Sequence, residues 1–176
     1  MSTRRAVVGA VVVVGALGAL VAWRATRKVD HLDAGYAALL DKDAPAAIAH
    51  LRIAVAERPN DGIAHYDLGI AYENAGWTDQ ALPEFERAVE LEPTNDTFRS
   101  GLAQTRRTLG YRAQVEQRYR DAVNLYQRVV ALTPDDATTW YNLSVSYKKL
   151  GHDDQAKKAL ARAAELDPSH YKVDGS

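Results

Sequence analysis

The stretch GIAHYDLGIAYENAGWTDQALPEFERAVELEPTN, residues 62–95, orders the rest of the chain. Its landmarks recur at a fixed distance. Pro59 and Pro93 stand 34 residues apart, as do Ala47 and Ala81, Leu51 and Phe85, and Ala54 and Ala88. Further along, Ala122 and Ala156, Tyr126 and Leu160, Val129 and Ala163, and Pro134 and Pro168 keep the same 34-residue spacing. From Pro93 to Pro134 the step is 41, so one unit is seven residues longer. Because Gly76 to Gly110 is 34 and Gly110 to Gly151 is 41, the extra residues are expected between Gly110 and Ala122. A period of this size marks stacked supersecondary units. The units are 28–61, 62–95, 96–136 with the insert, and 137–170, followed by a short tail at 171–176.

The residue types at these positions have a mechanical meaning. Gly69 and Ala81 are small where two helices must approach closely, and Tyr72 and Phe85 fill the space around them. Proline at 59, 93, 134 and 168 withholds the helical amide and ends the second helix of each unit. No helix pair of this length buries its apolar face alone, so stacking makes the core. On these residues the chain resembles the tetratricopeptide repeat family, with its W-x2-L-G-x2-Y, A-x3-F and closing Pro pattern. Unit two carries Leu68, Gly69, Tyr72, Ala81, Phe85, Ala88 and Pro93, with His65 at the Trp position. Unit four has Trp140, Leu143, Ser144, Tyr147, Ala156, Leu160, Ala163 and Pro168. Unit one lacks the aromatic landmarks of the first helix, and unit three, with Leu102 and Ala103, puts Arg106 at the Tyr position.

The resemblance implies an all-α solenoid of four helix pairs whose first helices line a groove for a partner polypeptide. Carried over by position, the groove residues are Leu32 and Tyr36, then Tyr66, Ile70, Glu73 and Asn74, then Ser100, Gln104 and Arg107, and finally Tyr141, Val145, Lys148 and Lys149. Tyr36 is expected to pack between units instead. The Lys/Asn/Arg carboxylate clamp of chaperone-binding members is missing from the matching positions. Two features depart from an ideal array. Pro83 lies inside the second helix of unit two, where a late start or a slight kink is expected. The insert 111–117 has no Pro or Gly and equals about two helical turns, so a longer helix over roughly 97–118 is expected, with Gly110 inside it.

Residues 6–23 differ from all of this, being 18 consecutive positions without a charge. They read as a single N-terminal transmembrane helix of about 27 Å, within an anchor segment 1–27, and hence a lipid bilayer as one partner. The rival is a cleaved signal peptide behind Arg4 and Arg5, but its apolar core is shorter and its cleavage site differs from Trp23-Arg24-Ala25. Positive charge flanks both ends almost equally; the short tail with its Arg pair suggests a bacterial inner-membrane signal anchor with the repeats on the periplasmic or other extracytoplasmic side. Gly15, Gly18, Ala19 and Ala22 fall on one helix face, either as a packing strip for another helix or because small residues are common in membrane helices. The anchor either runs straight into the first repeat or bends near Lys28.

The 176 residues hold 22 basic and 23 acidic side chains and no cysteine, which leaves no electrostatic basis for nucleic-acid binding and excludes disulfides and thiol chemistry. The even total hides a polarity. Residues 30–96 carry a net charge of -10 and residues 97–149 a net of +5. Arg99, Arg106, Arg112, Arg118 and Arg120 form either a basic ridge for an acidic partner or lipid, or a set of charges paired with neighbouring units. The histidines lack metal-ligand spacing, so no metal or cofactor is expected, and Asp135-Asp136 and Asp153-Asp154 read as helix caps. With no phosphate loop or nucleophile motif either, the expected role is non-enzymatic. Two roles fit: a membrane-anchored interaction scaffold, or an accessory structural or assembly subunit of a larger membrane complex, with other membrane-associated proteins as partners. The tail after Ser169 is too short for a capping helix, so the last pair is expected to meet a partner subunit, meet a second copy, or be covered by Tyr171 and Val173 folding back.

Overall fold

In the computed structural model the described residues are 29–172. The anchor segment, the strip Gly15, Gly18, Ala19 and Ala22, and Val173 lie outside them. Among the described residues no helix is long and apolar enough to cross a membrane. Among the described residues eight helices follow one another: α1 His31–Leu40, α2 Ala44–Glu57, α3 Gly62–Asn74, α4 Thr78–Leu91, α5 Asp96–Val115, α6 Tyr119–Leu132, α7 Ala137–Lys149 and α8 Asp153–Leu166. They pair as α1/α2, α3/α4, α5/α6 and α7/α8, and each pair stacks on the next, giving an all-α helix-pair solenoid.

Local chemistry sets the boundaries. Asp61, Asn95 and Asp136 cap α3, α5 and α7, each accepting backbone N–H bonds through its side chain, and Asp43 does the same for α2. Glu57, Leu91, Leu132 and Leu166 end the second helices two residues before Pro59, Pro93, Pro134 and Pro168. Pro83 neither delays nor shortens α4, which starts at Thr78 and runs through it.

Inside each pair a small residue of the first helix meets a large one of the second. A Cβ on Gly35 would lie 2.5 Å from Leu51, one on Gly69 2.9 Å from Phe85, and one on Gly110 2.7 Å from Tyr126. Ser144 and Leu160 hold the same two positions in unit four. This corrects the register of unit three. Gly110 is the counterpart of Gly69, not of the turn residue Gly76, and Leu109-Gly110 is the Leu-Gly landmark. The seven extra residues therefore lie on the N-terminal side of Gly110, within α5, which has 20 residues against 13 in α3 and in α7. Two extra turns keep the face unchanged, so the start of α5 packs on unit two while its end packs on α6.

The turn residue itself is Lys42, Gly76, Gln117 and Gly151 in successive units, with φ of 59°, 77°, 60° and 76°. A left-handed conformation costs a non-glycine residue about 1 kcal/mol or more. Gln117→Gly is therefore expected to stabilise the protein by about 0.5–1 kcal/mol after the entropy of the more flexible unfolded chain is subtracted. A chemical-denaturation midpoint that moves up without a change of slope checks this.

Candidate functional site

The register correction changes which residues share a face. Counting from the Gly-to-large contact, the inner-helix row is Tyr36, Ile70, Tyr111 and Val145, and the row one turn on is Leu40, Asn74, Val115 and Lys149. Four of these are large apolar groups left in solvent: Tyr36, Leu40, Tyr111 and Val115 are 53, 67, 62 and 64 % exposed. Unit three reaches this face with Tyr111 and Val115, not with Gln104 and Arg107. Tyr36 is exposed instead of packed between units.

The other expected groove residues mostly serve the stacking. The Tyr66 ring stacks on Phe98 at 4.9 Å and meets Phe85 edge-on at 5.4 Å. Ile70 packs with it in the core shared by α3, α4 and α5. Glu73 accepts a 3.0 Å hydrogen bond from Thr105. Arg107 pairs with Asp136 at 2.8 Å and also donates to Gln104. Tyr141, Val145 and Lys148 line a trough between α7 and α8. Asn74 and Lys149, at the ends of α3 and α7, stay with the exposed second row.

The arginines of the third unit are largely spent on neighbours. Arg106 reaches Glu86 at 2.8 Å, Arg112 reaches Asp79, and Arg118 bridges Glu116 and Asp121. Arg99 bonds Asp96 and the Leu132 carbonyl. The opposite charges of units two and three thus meet across their boundary. Arg120 alone of the five makes no such bond.

Several polar groups that a motif search would flag have structural duties. His65 donates from Nε2 to the Pro59 carbonyl at 3.1 Å, and its Nδ1 lies 2.7 Å from Glu84 Oε2. Trp140, at the same position of unit four, donates from Nε1 to the Pro134 carbonyl at 2.9 Å. A histidine can therefore stand where the repeat pattern has tryptophan, since both tie the first helix to the preceding proline turn. His65→Phe, which deletes both bonds, is expected to cost about 1–2 kcal/mol, and His65→Trp, which keeps one, less than half as much; paired urea titrations compare them.

His31 and His50, far apart in sequence, come together at the first pair with Nδ1 atoms 3.0 Å apart and ring centroids 5.3 Å apart. That separation is what an end-on N–H···N bond gives, whereas two ligands of one metal ion turn their lone pairs toward a common point. Among the described residues no three metal-ligating side chains cluster. Asp167, Ser169 and His170 also meet, but the Ser169 hydroxyl donates to Asp167 and both approach His170 through Nδ1. No imidazole nitrogen then stands between hydroxyl and carboxylate, so the trio is a capped turn and not a catalytic relay.

One buried ionisable group has no such duty. Asp67 is 9 % exposed and makes no hydrogen bond or ion pair, and burial, with Asp61 adding to it, pushes its carboxyl up to about 6. Asn142 occupies the same position of unit four.

Comparison with known proteins agrees with the repeat architecture. Two family models, each described as tetratricopeptide repeat, match residues 62–95 and 116–172, together about half of the chain. The tetratricopeptide repeat-containing protein trd-1 of Caenorhabditis elegans is 25 % identical over 123 residues, 70 % of this chain and 14 % of that protein. Anaphase-promoting complex subunit 3 of Schizosaccharomyces pombe is 29 % identical over 91 residues, 52 % of this chain and 13 % of that one. The chain thus spans about one-seventh of the length of the curated relatives it matches. Among solved structures, MamA superposes with a TM-score of 0.57 at 21 % identity, covering 80 % of this chain and 73 % of that one. YrrB, described as a TPR protein with an unusual peptide-binding site, superposes with a TM-score of 0.55 at 22 % identity over 80 % of this chain and 69 % of that one. Repeat spacing, helix pairing and these matches agree: the chain is a tetratricopeptide repeat protein.

Proposed function

We propose that this chain is a membrane-anchored interaction scaffold that holds a partner polypeptide on the exposed face of its first helices. The observation that carries the reading is the apolar ladder of Tyr36, Leu40, Tyr111 and Val115, each more than half exposed at equivalent positions of their units. Side chains of that size left in solvent at matching positions of units one and three, with the half-buried Ile70 between them, suit an extended or helical segment that contacts several units at once. The peptide-binding site described for YrrB and the organizing role named for a wheat relative, the Hsp70-Hsp90 organizing protein, lend the same reading support by analogy.

The anchor belongs to the proposal through its sequence. Residues 6–23 are long enough and apolar enough to span a bilayer once, which would hold the repeats and their cargo at a membrane surface, on the extracytoplasmic side. The ladder lies in the repeats and the anchor outside them, so the two halves of the proposal separate experimentally. Removing residues 6–23 should move the chain from the alkali-resistant membrane fraction to the soluble one with its fold intact. Tyr36→Asp with Tyr111→Asp should leave it in the membrane but strip the co-purifying partner in mild detergent. A partner that stays with the double variant would refute the ladder, and a truncated chain still in the membrane would refute the anchor.

A further inference from the structure

Between α7 and α8 lies an open trough of about 710 Å³. Its floor is apolar, built from Tyr141, Val145, Ala156, Leu160 and Ala161, while Lys148, Lys157, Lys158 and Lys172 stand around it with Asp153 as the single acid. Its meaning follows from the internal repeat. Unit two has the same trough 75 residues earlier, formed by Tyr66, Ile70, Ala81, Phe85 and Glu86, and there it is filled by α5. Phe98 stacks on Tyr66, Gly101 lies against the Tyr66 and Phe85 rings, Leu102 enters the core, Thr105 bonds Glu73, and Arg106 pairs with Glu86.

Unit four repeats the anchoring contact only. Tyr171 stacks on Tyr141 at 4.9 Å, as Phe98 does on Tyr66, and its hydroxyl bonds Thr138. Tyr171 thus folds back as expected, but over Tyr141, leaving the trough beside Leu160 uncovered among the described residues. The charges have changed sign relative to unit two. Glu73 becomes Lys148, Leu82 becomes Lys157, and Glu86 becomes Ala161. The side chains on the α8 wall are also smaller, with Leu160 in place of Phe85, which widens the trough.

We propose that this trough docks an amphipathic helix of a partner protein, one with bulky apolar residues on its inner face and acidic residues flanking them. The helix lies as α5 lies on unit two, extending the stack by one helix, and its residue n takes the place of Tyr171 on the Tyr141 ring. Apolar residues at n and n+4 fill the floor, a small residue at n+3 passes the Tyr141 ring, a carboxylate at n+7 meets Lys148, and one at n+8 lies beside Ala161, a helical turn from Lys157. The first helix of a second copy fits less well, since its outward positions Ala34 and Ala37 are too small for the widened floor. This surface shares Val145 with the inner-helix row but none of the four exposed ladder residues, and it stands or falls on its own.

The probe is a 20-residue peptide with the sequence of α5, 96–115, carrying Arg99→Glu, Thr105→Glu and Arg106→Glu, titrated into the full chain in detergent micelles. Saturable one-to-one binding is expected, at least tenfold tighter than for the unaltered α5 peptide and weakening steeply with salt. Lys148→Glu with Lys157→Glu, both at exposed positions, should reduce it at least tenfold with helix content and melting unchanged. Ala161→Glu puts in the residue that unit two carries as Glu86 and should shift preference toward the unaltered, arginine-bearing peptide. Equal affinity for both peptides, no saturation, or binding indifferent to the lysine changes would overturn the proposal. So would concentration-dependent self-association that the lysine changes abolish, because the trough would then hold a second copy. Tyr111-dependent partner capture is untouched by these variants, so the two surfaces fail independently.

Discussion

Gly110→Val is expected to lower the stability of the protein by about 3 kcal/mol. In an exposed helix interior the same change would be mildly stabilising, because glycine is among the poorest helix formers. Here the first added carbon would lie 2.7 Å from the ring of Tyr126, which is fully buried and has no room to retreat. The Tyr126 hydroxyl is held by Gln114 as well, and burial, with Tyr111 second, pushes the phenol up to about 12. In a solenoid each pair is supported only by its neighbours, so the loss at unit three reaches units two and four. The corresponding fall in Tm is roughly 6–12 °C for a chain of this size. The chain also contains the compensation. Unit four pairs Ser144 with Leu160, so Gly110→Ser with Tyr126→Leu should recover part of what Gly110→Ser alone loses. A double variant no more stable than the single one would show that the contact is not the cause.

Asp67→Asn is expected to act in the opposite direction and only in one pH range. The carboxyl is held up to about 6 in the folded protein by burial and by Asp61, against about 3.9 in an unfolded chain. The folded state therefore keeps a proton that the unfolded state has released, and stability falls as pH rises from about 4 through about 6. Above that window the cost of ionising an unbonded carboxylate that water still reaches is present, about 1–2 kcal/mol once solvent screening is allowed for. The amide removes it, as Asn142 does in unit four. At pH 7 the variant should melt about 2–8 °C above the parent, and at pH 3.5 the two should coincide. A gain that persists at pH 3.5 would point to packing and not to charge.

Much of the fold was legible because proline and small-to-large pairs are local signals with a fixed spacing. Pro59, Pro93, Pro134 and Pro168 marked helix ends within two residues, and Asp136 caps its helix as expected, whereas Asp153 and Asp154 sit inside the first turn of α8, which has no side-chain cap. What misled was a coincidence of distance. Gly110 stands 34 residues after Gly76, but Gly76 makes a left-handed turn and Gly110 makes a helix contact. The turn in unit three is made by Gln117, a residue type that gives no such warning. The signal that does locate the register is the dipeptide Leu109-Gly110, 41 residues after Leu68-Gly69 and 34 before Leu143-Ser144. Counted from Gly76, the unit-three face would carry Gln104 and Arg107 in place of Tyr111 and Val115, and the match with Tyr36 and Leu40 of unit one is lost. The charge blocks were ambiguous for a different reason. A run of arginines looks the same in sequence whether its carboxylates come from the preceding unit or from a ligand, and only packing shows Glu86 and Asp79 opposite Arg106 and Arg112.

A polypeptide resting on the ladder lies within reach of site-specific photo-crosslinking in native membranes. A photoreactive residue placed at Tyr111 should give an adduct with one polypeptide, and the same polypeptide should be captured from Tyr36. Placed at Ile53, which is 43 % exposed on α2, it should give none. No adduct from Tyr111 and Tyr36, or the same adducts from Ile53, would mean that no polypeptide is held on this face.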